Sequence, residues 1–353
     1  MTDVLSGSLP AHLRGGDQVL TAEHVVVEFG RGSRRVHAVS DVSIDIAEGE
    51  TLGLVGESGC GKSTLGRAIA MVHAPTSGSV KLEGQDLTKL SGSDLRRLRT
   101  KIQLVFQDPI SSLNPRRKVR DVVAEPLNIW KIGTRAERAQ KADAMLESVG
   151  IDPVASGDRH SVEFSGGQCQ RVSIARALML EPKLLICDEP VSALDVSVQA
   201  QILNLLEDLK DRTGVTMLFI AHDLAVVKHV SDRVAVMYLG KLCEIAPPDV
   251  LYHRPSHPYT EALLASIPEP DPTRPAHAVA KRLTGDLPSP IDPPSGCRFR
   301  TRCPYAQPLC AEQEPQMREI TPGQFVACHF PVNSPAAQTA AVPPPASDMP
   351  QAG

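Results

Sequence analysis

Residues 51–64, Thr51-Leu-Gly-Leu-Val-Gly-Glu-Ser-Gly-Cys-Gly-Lys-Ser-Thr64, constrain the fold more than any other stretch of the chain. Leu52 to Val55 is a short apolar run bounded by glycines and reads as a buried strand. It leads into Gly56-x-x-x-x-Gly61-Lys62-Ser63, the pattern of a phosphate-binding loop. The glycines let successive backbone N–H groups turn inward around an anion. Gly56, Ser58, Gly59, Cys60, Gly61, Lys62, Ser63 and Thr64 are therefore the candidate cradle. Lys62 can reach the terminal phosphates, and the Ser63 hydroxyl can hold Mg²⁺. Leu65, Ala68, Ile69 and Val72 follow at helical spacing, so a helix dipole should face the anion. Cys60 lies at that helix start, where a thiolate is stabilised. The alternatives are a reactive thiol whose alkylation blocks nucleotide binding and a small space-filler beside Gly61.

The 353 residues exceed what one compact domain usually holds, so a main domain with an appendage is expected. A net charge of −4 gives no global attraction to nucleic acid or anionic membrane. No signal-peptide core opens the chain, and no apolar run is long enough to span a bilayer. A cytosolic protein is expected, docked by a partner if it works at a membrane. Residues 1–19 are polar and expected to be poorly ordered.

Glu23 to Phe29 and Val39 to Ile46 read as antiparallel strands ahead of the loop. Phe29 is either a core aromatic or a platform for stacking a base. Gly78 to Leu82 and Ile102 to Phe106 are further strands. The second ends in Gln107, at the strand end where an α/β sheet places ligand contacts. Basic runs at 95–101 and 116–118 lack interleaved aromatics and read as solvated helix faces. Val119 to Pro126 and Arg135 to Val149 are helical by composition, the second closed by Gly150 and Pro153. Phe164-Ser165-Gly166-Gly167-Gln168 then precedes another helix, a second glycine-rich anion cradle. It cannot address the same face of the phosphate as the first, which suggests a nucleotide held by another subunit.

Lys183-Leu-Leu-Ile-Cys-Asp-Glu-Pro190 is an apolar strand ending in two carboxylates. Downstream of a phosphate loop, Asp188 can bind Mg²⁺ through water and Glu189 can polarise an attacking water. Ser192-Ala-Leu-Asp195 opens a helix that Gly214 ends. Val215 to Ala221 is a strand, and His222 at its end is placed to contact a terminal phosphate.

In this order, Gly56–Thr64, Gln107, Ser165–Gln168, Asp188–Glu189, Ser192–Asp195 and His222 resemble an ABC-transporter ATPase cassette over residues 20–247. The resemblance implies an α/β P-loop NTPase core with an antiparallel β subdomain and a helical subdomain at about 110–170. It implies that ATP is hydrolysed with Mg²⁺ held by Ser63, Gln107 and Asp188, and that Phe29 stacks adenine. Gln107 would also meet the permease, Glu189 would be the general base, and His222 would hold the γ-phosphate. Ser165–Gln168 would serve the partner's ATP across a head-to-tail dimer, and Asp195 would be a further nucleotide-binding residue. Phe164 stands where Leu is commonest, and Cys169 where the peptide-importer branch usually has Arg.

Twenty-two of the 30 prolines lie after residue 246. His257-Pro-Tyr-Thr-Glu-Ala-Leu-Leu264, Gly285–Pro290 and Pro293–Cys297 resemble the C-terminal extension of dipeptide/oligopeptide importer ATPases, here residues 248–333. Gly59–Gly66 and Ser112–Arg116 look most like the second of the two unlike ATPase subunits of dipeptide permeases. The implied partners are two permease subunits, a paralogous second cassette and, indirectly, a solute-binding protein, with no nucleic acid. A soluble ABC ATPase of translation or DNA repair is the competing reading. Such proteins usually carry two cassettes or a long coiled coil, and neither appears here. Residues 334–353 read as a disordered Ala/Pro tail.

Cys297, Cys303, Cys310 and Cys328 fall within the extension. Disulfides do not suit the cytosol, and the paired C-x₂-C spacing of zinc sites is absent. Four thiolates can equally hold an iron–sulfur cluster, or remain free thiols. Resemblance to the peptide-importer family implies a [4Fe–4S] cluster at these four positions.

Overall fold

The computed structural model describes residues 10–267 and 285–333. The strands are β1 (Leu20–Phe29), β2 (Val36–Ile46), β3 (Thr51–Val55), β4 (Ser77–Leu82), β5 (Gln85–Asp86) and β6 (Ile102–Val105). They continue with β7 (Leu184–Asp188), β8 (Thr216–Ala221), β9 (Arg233–Tyr238), β10 (Lys241–Ala246), β11 (Arg318–Thr321) and β12 (Gln324–Val326). They form a four-stranded sheet, β2-β1-β4-β5, and an eight-stranded sheet, β11-β12-β10-β9-β3-β8-β7-β6.

In the larger sheet β6, β7, β8, β3 and β9 are mutually parallel, as buried all-apolar strands in an α/β protein should be. Side chains alternate between its faces. Leu52, Leu54, Leu184, Ile186, Leu218 and Ile220 enter one core, shared with the antiparallel sheet and the Lys62–Ile69 helix. Val55, Leu185, Cys187, Met217 and Phe219 enter the other, with the helices Val119–Trp130, Arg135–Ser148, Gly166–Leu178 and Val196–Thr213. The sheet is thus covered on both sides, and the loops at its C-terminal strand ends are left to carry ligand contacts.

Several expectations change. Val72 lies beyond the end of the loop helix and is 53% exposed, because the helix stops at Ile69. The Val119–Trp130 helix runs on through Pro126, held by the buried Leu127 one residue later. The Arg135–Ser148 helix ends ahead of Gly150 (φ +74), and Pro153 instead starts a short turn of its own, Pro153–Ser156. Residues 10–19, expected to be poorly ordered, are fixed against the core. His12 and Leu13 are buried, and Arg14 pairs with Asp45 and Glu50. Residues 1–9 and 334–353 lie outside the described residues.

The basic runs are structural ties. Arg99 donates to the Met71 carbonyl, Lys101 meets Glu83, Arg117 meets Glu125 and Lys118 meets Asp158. The C-terminal extension adds β12 and β11 to the edge of the main sheet, with Glu244 opposite Val326. The buried Glu244 carboxylate fastens it by accepting from Ser256 N, His257 N and Gln324 Nε2. An ion buried this deeply persists only when its lone pairs are filled.

Candidate active site

The phosphate loop bridges β3 and the Lys62–Ile69 helix, as the glycine spacing requires. Gly56 and Gly61 both have positive φ, and a Cβ on either would come within 2.2 Å of a backbone carbonyl oxygen, Met237 O or Ala38 O respectively. No side chain fits there, so the loop's path is set by two residues that must be glycine. Gly59 also has positive φ but faces open space, on the side where an anion would lie. Lys62 is nearly buried, and its Nζ donates to the carbonyls of Gly56 (2.7 Å) and Glu57 (3.0 Å).

Three other strand ends converge on the loop. Ser63 Oγ donates to Asp188 Oδ1 at 2.6 Å. The other oxygen, Asp188 Oδ2, is buried and accepts no hydrogen bond, while Arg67 Nη2 stands 3.7 Å away. Burial pushes the Asp188 carboxyl up, against the opposing pull of the Ser63 hydroxyl and the Arg67 charge. A serine hydroxyl beside a carboxylate with an unfilled lone pair is a donor set that suits a hard cation such as Mg²⁺. Arg67 was not anticipated from the sequence. Its position in the loop helix carries no motif, and its partner lies on a strand more than a hundred residues later.

Glu189 adopts φ +48, a backbone region costly for a residue with a side chain. Its N–H is pinned to Ile220 O at 2.9 Å, which turns the carboxylate out of the strand line. Gln107 Nε2 donates to Glu189 Oε2 at 3.1 Å, and His222 Nδ1 lies 3.2 Å from the same oxygen. Lys62 Nζ is 3.9 Å from Glu189 Oε1. Ser58, Gln107, Asp108, Glu189, Ser192, Ala193 and His222 line one open cleft of about 530 Å³. Residues scattered over the sequence are thereby assembled around a single carboxylate, next to the phosphate cradle.

Ser165–Gln168 is not among the residues lining that cleft. It forms a reciprocal cap at the head of the Gly166–Leu178 helix: Ser165 Oγ accepts from Gln168 N (3.3 Å) and Gln168 Oε1 from Ser165 N (2.9 Å). Both side chains are exposed, and a Cβ on Gly167 would strike Val198 at 2.5 Å. Cys169 is buried and donates its thiol to Ser161 O at 3.4 Å, so it is accommodated inside that helix's packing. Asp195 is exposed at the start of the Val196–Thr213 helix. Phe29 is not a core aromatic. It is 42% exposed and meets only the edge of His73 among the aromatic rings described.

Of the two alternatives for Cys60, its burial favours the space-filler. Cys60 is 1% exposed and fills space beside Gly56, and burial pushes its thiol up rather than down. That environment is the packing of a small side chain and not the polar, open setting of a reactive thiolate. Cys297, Cys303, Cys310 and Cys328 do gather around one cavity, but its room is only about 10 Å³. That is about one water-sized sphere. Among the described residues no three His, Cys, Asp or Glu side chains are set to hold a metal ion. Burial pushes the Cys303 and Cys328 thiols up to about 12, and the neighbouring cysteines add to the rise. These observations lend a [4Fe–4S] cluster no support, and no chemistry is derived through one.

Comparison with known proteins agrees with this geometry. A family model described as ABC transporter matches residues 39–192, and one described as oligopeptide/dipeptide transporter, C-terminal region, matches 243–310. The chain is 52% identical over 306 residues to the oligopeptide transport ATP-binding protein AppF of Bacillus subtilis (strain 168), covering 86% of this chain and 92% of that one. It is 52% identical over 289 residues to OppF of Salmonella typhimurium (strain LT2), covering 81% and 86%. Among solved structures, a dimeric ATP-binding cassette in a post-hydrolysis state with ADP and Pi superposes with a TM-score of 0.60 at 29% identity, covering 65% of this chain and 98% of that one. The protein cbiO1 of Clostridium perfringens, part of the ABC transporter complex cbiONQ, gives 0.61 at 29% identity, covering 67% and 92%.

Proposed function

The chain belongs to the ABC-transporter ATP-binding proteins of the oligopeptide-transport branch, and we propose that it hydrolyses ATP to drive oligopeptide import. The observation carrying this reading is the convergence of Lys62, Gln107 and His222 on the Glu189 carboxylate beside the glycine cradle.

ATP sits with its phosphates in the Gly56–Thr64 loop and its adenine on the exposed face of Phe29. Lys62 moves its ammonium from the loop carbonyls to the terminal phosphates. Ser63, Asp188 and Gln107 are the residues that would hold Mg²⁺, which supplies charge neutralisation on the phosphates. Glu189 accepts the proton of an attacking water, and His222 and Gln107 hold the carboxylate's other oxygen so that it faces the γ-phosphate. His222 then steadies the charge that develops there.

Ser165–Gln168, outside this chain's own cleft, caps the nucleotide of a second cassette, with Asp195 at the same face. That cassette is a paralogue in a head-to-tail pair. ATP favours the closed pair and hydrolysis releases it, and the differential affinity does the mechanical work on two permease subunits. Gln107 lies at the permease-facing edge of the cleft, and a solute-binding protein delivers the peptide. No helix among the described residues is long and apolar enough to cross a membrane. In this reading the permeases hold the subunit peripherally, at the cytoplasmic face. No step of this mechanism runs through the four thiols of the extension.

Affinity purification from detergent-solubilised membranes tests the assembly. Two multi-span permeases and a second cassette should co-purify. Ribosomal or DNA-repair proteins without a permease would overturn the transport reading.

A further inference from the structure

All three polar groups of one phosphate-loop residue, Glu57, are engaged, and two of them are held from outside the loop. Its N–H donates to Tyr259 Oη at 2.9 Å. Its carbonyl accepts from Lys62 Nζ at 3.0 Å and from Cys60 N at 3.2 Å. Its carboxylate accepts from Arg302 Nη1 at 2.8 and 3.0 Å. Tyr259 and Arg302 both belong to the C-terminal extension, outside the cassette. The Arg302 side chain is only 6% exposed, and that of Glu57 is 24% exposed.

The supports of these two residues are themselves rigid. Tyr259, Tyr238 and Phe299 are fully buried and pack together, Tyr238 edge to face with each of the others and Tyr259 tilted against Phe299, with ring centroids 4.7–5.3 Å apart. Arg302 lies over the Tyr238 ring, 5.8 Å from its centroid, and Nη1 also reaches Tyr238 Oη at 3.4 Å. Arg302 N donates to Phe299 O at 3.0 Å, within the turn that carries Cys297 and Cys303. From that turn Arg298 donates to Leu239 O and to Ser40 Oγ (2.9 Å), and the neighbouring Gly240 N donates to Cys60 O at 2.8 Å. The extension thus reaches the phosphate loop at residue 57 directly and at residue 60 through Gly240.

We infer that the C-terminal extension is a brace for the phosphate loop, with Arg302 and Tyr259 as positioning residues that pre-form the nucleotide cradle through Glu57. The inference rests on the ATPase reading above. Neither residue faces the cleft that holds Glu189, so neither is expected to act on the bond being broken. A loop held in its binding shape binds nucleotide more tightly without changing the chemical step.

The test uses the full chain, with fluorescent-ATP titration in Mg²⁺ and steady-state hydrolysis. R302A should weaken ATP binding about 10-fold while kcat stays within about 2-fold, the split expected when ground-state binding alone is lost. E57Q should do the same, and the R302A/E57Q double variant should be no worse than the weaker single, because both remove one interaction. R302K should recover part of the affinity, since it restores the charge on Glu57 but not the guanidinium that lies over the Tyr238 ring. Unchanged affinity in R302A, whatever its melting temperature, would overturn the brace, as would additive losses in the double variant. Should R302A fail to fold, unchanged affinity in both R302K and E57Q would overturn it equally. Wild-type protein that binds ATP but does not turn it over would refute the ATPase reading and leave the binding comparison intact.

Discussion

Replacing Glu189 with Gln should lower ATP turnover by about 10³-fold while ATP affinity stays within about 2-fold, the size of loss seen when a general base is removed. The amide keeps the shape of the carboxylate and can still accept from Gln107 Nε2, whose distance to Oε2 is 3.1 Å. It can no longer take a proton from water. The backbone at Glu189 is already held at φ +48 by its N–H bond to Ile220, so the new side chain should emerge along the same line. Turnover and nucleotide affinity measured on the same preparation separate the two effects. Turnover near the wild-type rate would remove Glu189 as the base.

The second large effect is expected at Lys62. Its Nζ lies among the Gly56 and Glu57 carbonyls and 3.9 Å from Glu189, beside the cradle where the terminal phosphates would sit. K62A removes a charge-assisted contact to the phosphates, worth about 1.5–3 kcal/mol, so ATP affinity should fall about 10- to 100-fold. Turnover at saturating ATP should fall as well, because the same ammonium balances charge that grows on the γ-phosphate. This separates K62A from E189Q, which spares binding, and from R302A, which spares turnover. Wild-type affinity in K62A would mean that the glycine loop does not hold the terminal phosphates.

Much of this arrangement was readable from local pattern. The strand, glycine turn and helix of residues 51–69 are encoded by neighbours in the chain, as are the Asp188–Glu189 strand end and the Ser165–Gln168 cap. Each needs only the periodicity of its own segment. What escaped was set by tertiary contact. The path of residues 10–19 depends on Asp45 and Glu50, which Arg14 meets only in the folded state. The environment of Cys60 depends on packing from other segments, and its burial overrode the helix-terminus effect that favours a thiolate. Arg67 and Arg302 find their carboxylate partners 121 and 245 residues away in sequence.

The strands β11 and β12 were a different kind of omission. Arg318–Thr321 and Gln324–Val326 flank Pro322-Gly323, a turn dipeptide between short β-prone runs. The proline-rich composition around it masks that pattern. In the fold the extension needs no core of its own, because β12 pairs with β10 and borrows the main sheet.

Uptake of an isotopically labelled oligopeptide tests the central claim most directly. Cells lacking the chain should lose most uptake, wild-type protein should restore it, and E189Q should leave it at least about 10-fold below wild type, since each transport cycle requires turnover at Glu189. Uptake unchanged by loss of the chain, or restored as well by E189Q as by the wild type, would contradict the account.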